Sequence, residues 1–221
     1  MTSGLAIKAA QCRINLRHTV GDHKIMRRII KSPNDTDILK DLDGPLIYLN
    51  GPIQGTSDWQ STAIRTLNEF APNLHVASPR STRFTGSFEE QLTWETAFIQ
   101  RAAKSGCIVF WLARETNHRC HRAYAQQARF ELGEWAVLSR AGLARIVVGI
   151  ESGFTGGPFL HRRLTLAYPN IPICSTLRQT CAAAAELSYS VPTTLAYPFL
   201  TPRAPALRDL VPKLSSIKDN E

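Results

Sequence analysis

The chain has 221 residues, 43% of them hydrophobic, enough apolar material for one domain-sized core with tails rather than for several domains. It lacks a run of about 18 apolar residues, and its N-terminal stretch has no apolar block followed by a cleavage site. Neither a helical membrane span nor a secretory signal is therefore expected, and a soluble chain with no membrane partner is. The net charge of +8 comes from scattered Lys and Arg without a basic helical stripe or interleaved aromatics, so nucleic acid ranks last among partners.

Residues 1–43 read as a polar, basic N-terminal arm. Its first 21 residues carry Lys8, Arg13 and Arg17 and no acid, and a loose arm is preferred to a mitochondrial transit peptide. The five cysteines, Cys12, Cys107, Cys120, Cys174 and Cys181, are odd in number and form no CxxC pair. They fit a reducing, cytoplasmic setting better than a disulfide framework.

A turn-like run from Asp41 to Pro45 precedes the first clear element, and the core domain is read as 44–187. Residues 46–49 form a short continuous apolar run between Pro45 and Gly51-Pro52, the pattern of a strand buried on both faces. Asp58 then caps a helix with Ala63, Ile64, Leu67 and Phe70 at helical spacing, ended by Pro72. Residues 74–78 read as a second strand and 88–103 as a second helix.

Residues 107–112 are the strongest strand signal, followed after a polar loop by a helix over about 123–140. Residues 146–150 supply a fourth strand and 171–174 a short edge strand that tolerates Pro172. Thr176 caps a last helix through Glu186. Residues 188–221 read as an irregular, Pro-rich C-terminal arm with Pro192, Pro198, Pro202, Pro205 and Pro212.

Strands alternating with helices predict right-handed crossovers and a doubly wound, flavodoxin-like (Rossmann-like) α/β domain. Its mainly parallel sheet should have five strands and helices on both faces. In such sheets ligands bind at the carboxyl ends of strands, where the strand order reverses, so segments 50–59, 78–95 and 112–131 should converge.

Three pieces of those segments carry candidate chemistry. Asn50-Gly51-Pro52-Ile53-Gln54-Gly55 follows the first strand directly; its glycines allow close backbone approach, and Asn50 and Gln54 offer amides. It matches neither GxGxxG nor a P-loop, and an ordinary turn is the competing reading. Gln91 and Glu95 share one helical face and would suit a nucleobase edge, against the plainer alternative of a solvated face.

The third piece is 124–135, in which Glu131 lies between Phe130 and Leu132 and one turn before Trp135. That setting would partly desolvate a carboxylate; the alternative is a surface acid paired with Gln127 or with an Arg. Gly133 costs a helix about 1 kcal/mol relative to Ala, which suggests close packing or ligand access there. His118-Arg119-Cys120-His121 has no second ligand pair, so no metal or other cofactor is expected, and the histidines read as loop over the strand ends. No G-x-S-x-G elbow supports serine catalysis.

Taken in order, residues 47–53, Trp94-Glu95, Phe110-Trp111-Leu112 and, above all, Phe130-Glu131-Leu132-Gly133-Glu134-Trp135 resemble the nucleoside 2-deoxyribosyltransferase-like family over about residues 46–180. The resemblance implies an enzyme that cleaves or transfers at the N-glycosidic bond of a nucleoside, deoxynucleoside or nucleotide. Its nucleophile would be Glu131, the glutamate of the E-L-G motif, forming a glycosyl-enzyme. It implies Tyr48 as an aromatic neighbour of that nucleophile and Glu95 as the acid that contacts the base and assists its departure.

Asn50, Gly51, Pro52, Gln54, Gln91 and Gln126 complete the expected substrate pocket. Glu131 would then stay ionised while Glu95, if the more buried, carries the proton. Transferases of the family commonly place a second acid shortly before the nucleophile to hold the sugar hydroxyl. Here Ala125-Gln126-Gln127-Ala128-Arg129 offers an amide or nothing. Related nucleotide hydrolases bind a 5′-phosphate, for which Arg80, Arg83 and Arg129 are the candidates. The resemblance also implies a homo-oligomer whose neighbouring subunits complete the pocket. The competing reading from another class is a noncatalytic nucleotide-binding or sensor module on the same fold.

Overall fold

The structure is a computed structural model and describes residues 27–32, 36–80, 86–118, 121 and 123–190. Most of both expected arms, together with Cys12, Cys120 and Arg83, lies outside the described residues. Six parallel strands form one sheet in the order β1-β3-β2-β4-β5-β6: β1 Ile29–Lys31, β2 Leu46–Asn50, β3 His75–Ser78, β4 Gly106–Leu112, β5 Ile146–Ile150 and β6 Ile173–Cys174. The five helices are α1 Trp59–Phe70, α2 Phe88–Ser105, α3 Gln126–Arg140, α4 Gly157–Ala167 and α5 Leu177–Tyr189. Strands β3-β2-β4-β5-β6 follow the flavodoxin-like order.

The sheet has six strands where the sequence predicts five. The extra one, β1, lies in the stretch read as an arm and pairs with β3, Ile30 opposite Ala77. Only Ile30 of its three residues is buried, so there is no alternation for a sequence pattern to reveal. A 3-10 turn at Thr36–Asp41 has no buried residue at all, and the helix α4, which carries no expectation above, buries only Gly157 and Leu164. In each case at most one apolar side chain is buried, too little to set a period.

The strong elements are those wrapped on both sides. Every residue of β2 and β4 is buried, because α2, α3 and α4 cover one face of the sheet through Trp94, Phe98, Leu132, Trp135 and Leu164. On the other face α1 and α5 pack through Trp59, Leu67, Cys181 and Ala184. Continuous apolar runs are what parallel strands under two helical layers require.

Local chemistry sets the helix starts. Asp58 accepts the Ser61 backbone N–H at the start of α1, and Ser87 and Glu90 form a reciprocal capping box at α2. Helix α3 begins later than the sequence suggests. Ala125 sits at φ 55° and supplies no side-chain cap, so Tyr124 and Ala125 belong to the loop. Among the described residues, no helix is long and apolar enough to cross a membrane.

Candidate functional site

Strand order reverses between β2 and β4, which pair from Leu46 opposite Gly106 to Asn50 opposite Phe110. A cleft must open above their carboxyl ends, because the chain leaves β2 toward one side of the sheet and β4 toward the other. The cavity found there has a volume of about 360 Å³, at the small end of the roughly 300–1,000 Å³ typical of ligand sites. All three expected segments reach it. Its walls include Tyr48, Asn50, Gly51, Pro52 and Gln54 from β2 and its loop, Gln91 and Glu95 from α2, and Gln126 and Glu131 from α3.

The loop after β2 is fixed from below. Gly51, at φ 154°, passes so close to β4 and α1 that an added Cβ would stand 2.3 Å from the Trp111 carbonyl oxygen and 2.8 Å from the Trp59 ring. Only glycine fits. The Pro52 carbonyl accepts hydrogen bonds from Trp59 Nε1 at 2.8 Å and from Gln60 Nε2 at 3.4 Å. Further along, the Gly55 carbonyl accepts the Thr116 and Asn117 backbone N–H groups, joining this loop to the one after β4.

Arg80 is the strut of the loop. Its guanidinium donates to Gln60 Oε1 at 2.9 Å, to the Ile53 carbonyl at 2.9 Å and to the Ser57 carbonyl at 3.3 Å, and stands 3.4 Å from Asp58. Arg129 is similarly engaged: it donates to the carbonyls of Thr155 and Tyr124 and stacks 4.4 Å from the centroid of the Phe154 ring. Arg80 and Arg129, two of the three arginines named above as phosphate candidates, are thus engaged with the protein itself.

Two carboxylates meet in the cavity. Asn50, only 4% exposed at the end of β2, donates through Nδ2 to Glu131 Oε2 at 2.5 Å. Gln91 Nε2 donates to Glu95 Oε1 at 2.8 Å, the i, i+4 contact that the shared helical face allows. Between the carboxylates stands Gln127. Its single Nε2 donates to Glu95 Oε2 at 2.9 Å and to Glu131 Oε1 at 2.9 Å. The two oxygens sharing that nitrogen lie less than about 6 Å apart whatever the angle at nitrogen, the sum of two 2.9 Å bonds.

Glu95 is the more buried residue at 8% exposed, with Glu131 half-buried. Burial pushes the Glu131 carboxyl above the usual range; the hydrogen bonds from Gln127 and Asn50 oppose this, and the neighbouring charges of Glu95 and Glu134 reinforce it. Tyr48, fully enclosed beneath the pair, has its hydroxyl pushed well above its ordinary range by burial and then by Glu95 and Glu131.

Three local expectations need correcting. Phe130 is 75% exposed, so the desolvation of Glu131 comes from α2 and β2 across the cleft rather than from its sequence neighbour. A Cβ on Gly133 would meet nothing within 4 Å, so close packing inside the chain does not account for that glycine. Glu131 does pair with Gln127, as the plainer reading held, but it does so while lining the cavity.

Sequence spacing presents Gln127 only as a surface partner of Glu131. The visible signal was its i, i+4 spacing to Glu131; the cross-helix bond to Glu95 has no sequence signature. Tyr124, whose hydroxyl donates to the Ala113 carbonyl and whose ring faces Gly55, is a further wall with no sequence signature of its own. The histidine loop lies partly outside the described residues. Within them His118 Nδ1 pairs with Glu115, and no group of three or more metal-ligating side chains occurs among the described residues.

No known protein family matches the chain, and no curated protein is recognisably similar to it. The fold and the site therefore define the class: a flavodoxin-like α/β protein with a paired-carboxylate cleft at the switch in strand order.

Proposed function

We propose that the protein cleaves or transfers at the N-glycosidic bond of a nucleoside, deoxynucleoside or nucleotide. Glu131 is the nucleophile and Glu95 the acid on the base side, as the resemblance to the nucleoside 2-deoxyribosyltransferase-like family implies. The observation that carries this reading is the pairing of the two carboxylates across one amide nitrogen inside the switch-point cleft.

Because Glu131 itself attacks the sugar in this reading, the reaction is a double displacement. Inverting pairs leave room for a water between carboxylate and sugar, whereas retaining pairs stand closer, at roughly 5–5.5 Å, and form a covalent intermediate. A Glu131 oxygen attacks C1′ and forms a C1′–O bond as the C1′–N bond breaks and its electron pair leaves with the base. Glu95 delivers a proton to the departing base. Water, or the nitrogen of a second base, then attacks C1′, gives its proton back to Glu95 and frees the Glu131 carboxylate.

The surroundings suit that chemistry. Positive charge develops on the sugar ring in an oxocarbenium-like transition state, and a fixed carboxylate beneath it stabilises that charge best where water is thinned. Asn50 and Gln127 fix the Glu131 oxygens, and Tyr48 closes the floor. With Ala125 to Ala128 in place of a sugar-binding acid, Gln126 and the Asn50 to Gln54 loop are among the polar groups left to hold the sugar. A second subunit completing the pocket and a cytoplasmic setting belong to the same reading.

The test is a panel of nucleosides and 5′-nucleotides incubated with and without acceptor base, with free and exchanged base read by chromatography. Base release that disappears in Glu131→Ala and Glu131→Gln supports the enzyme. Saturable nucleotide binding with no base release from any substrate overturns it in favour of a noncatalytic sensor.

A further inference from the structure

Gln127 is exposed at its helix surface yet makes the most consequential polar contacts in the cleft. A glutamine amide nitrogen carries two hydrogens, and here each points at a different carboxylate: Glu95 on α2 and Glu131 on its own helix. Because both partners are pure acceptors, the amide orientation is fixed by chemistry, with nitrogen toward the acids. Its carbonyl oxygen accepts no hydrogen bond from any described residue.

We propose that Gln127 is a positioning residue that locks Glu95 and Glu131 into one unit, setting their separation and sharing a single neutral donor between two like charges. The proposal rests, for its catalytic meaning, on the function proposed above; its geometric content does not. Without that donor the two carboxylates would face each other across the cleft, and like charges that close repel unless something between them is positive or donates.

Several features make Gln127 the keystone rather than one contact among many. Among the described residues, Glu95 is otherwise held by Gln91, on its other oxygen, and Glu131 by Asn50, on its other oxygen. Each carboxylate thus has one private amide and one shared amide. Among the described residues, only the shared one links α2 to α3 at the mouth of the cleft. In the catalytic cycle, protonation of Glu95 at the shared oxygen removes its charge and weakens it as an acceptor, so Gln127 is left bonded chiefly to Glu131. The nucleophile therefore keeps its donor while the acid is loaded, and the two roles are coupled through one side chain.

The groups facing Glu131 from the packed elements are Glu95 from α2, Tyr48 and Asn50 from β2, and Glu134 on α3 itself. Gln127 is among the influences that draw its carboxyl back down against burial. Its removal therefore moves the Glu131 titration upward.

The experiment follows Glu131 directly by carboxyl-carbon NMR of glutamate-labelled full-length protein, in the wild type and in Gln127→Leu and Gln127→Glu, with Glu131→Gln to assign the signal. Gln127→Leu retains a good helix former at an exposed site, and unchanged thermal unfolding verifies that the fold persists. The expected result is an upward move of the Glu131 titration in Gln127→Leu and a larger one in Gln127→Glu, where a third carboxylate replaces the shared donor.

For a substrate that the wild type turns over, base release falls about 10-fold or more with little change in KM, and its acidic limb moves in step with the titration. An unmoved Glu131 titration in both variants overturns the proposal. If the wild type releases no base from any substrate, the proposed function fails, and the titration still decides the role of Gln127.

Discussion

The Asn50 side chain reaches from the last residue of β2 to Glu131 on α3, a hydrogen bond that spans 81 positions of sequence. A buried amide aimed at a half-buried carboxylate favours the charged form of that carboxylate. It also ties the floor of the cleft to its wall.

Asn50→Leu should therefore act on Glu131 rather than on the fold. A hydrogen bond to a charged group contributes about 1.5–3 kcal/mol, so base release should fall roughly 10- to 100-fold. Because this bond is one of the influences lowering the Glu131 titration, its loss raises it. A nucleophile must be ionised, so the acidic limb of the rate profile moves to higher pH. A pH profile of base release for Asn50→Leu with an unshifted limb would remove Asn50 from the site.

Gly51→Ala should fail in a different manner. The new Cβ would stand 2.3 Å from the backbone carbonyl oxygen of Trp111, which cannot swing aside as a side-chain end can, and the φ of 154° disfavours any side chain. Overpacking of this type costs about 1–3 kcal/mol or more, so urea unfolding should show a lower midpoint with an unchanged slope. Gly133→Ala is the contrasting control. Its Cβ meets nothing within 4 Å, and the variant should gain up to about 1 kcal/mol from helix propensity.

How much of this was readable beforehand depends on how each residue signals. Strands β2 and β4 are legible because wrapping on both faces demands unbroken apolar runs such as Leu46 to Leu49. Ile30 alone carries β1, and one buried residue leaves no period to detect. At the site, Gln91 with Glu95 and Gln127 with Glu131 are visible as i, i+4 pairs, since helical geometry links them locally. The bonds from Asn50 to Glu131 and from Gln127 to Glu95 exist only because the topology brings β2, α2 and α3 together at the carboxyl ends of the central strands. Arg80 looked available for an anion because nothing local reveals that Gln60, Ile53 and Ser57 surround it.

Arg80→Ala should loosen the loop after β2 without touching the carboxylates. The guanidinium binds two carbonyls of that loop and the Gln60 side chain. Amide hydrogen exchange across residues 53–58 should therefore accelerate severalfold while the strands stay protected. Substrate binding should weaken to a similar degree for a nucleoside and for its 5′-nucleotide. A loss confined to the nucleotide would return Arg80 to phosphate recognition.

His75 makes a prediction far from the cleft. Its ring is buried, with Nε2–H donating to the Asp43 carbonyl and Nδ1 accepting the Arg28 backbone N–H at 3.1 Å, so it joins the start of β1 to β3 as a neutral imidazole. Burial first, and then the charges of Arg28 and Arg101, hold its titration below the ordinary value of 6.5, against the opposing pull of Asp43. A proton on Nδ1 would displace the Arg28 N–H and place a cation in the core.

Below pH 6.5 the unfolded chain consequently binds the proton more readily than the folded one, and stability falls as pH drops through that value toward the lower folded one. His75→Gln removes the titration. Urea midpoints measured from about pH 7.5 to about pH 5 should show wild type the more stable at the upper end, with the gap narrowing steadily toward the lower. A gap that stays constant across the range would mean that His75 is not the group through which acid loosens the β1 edge.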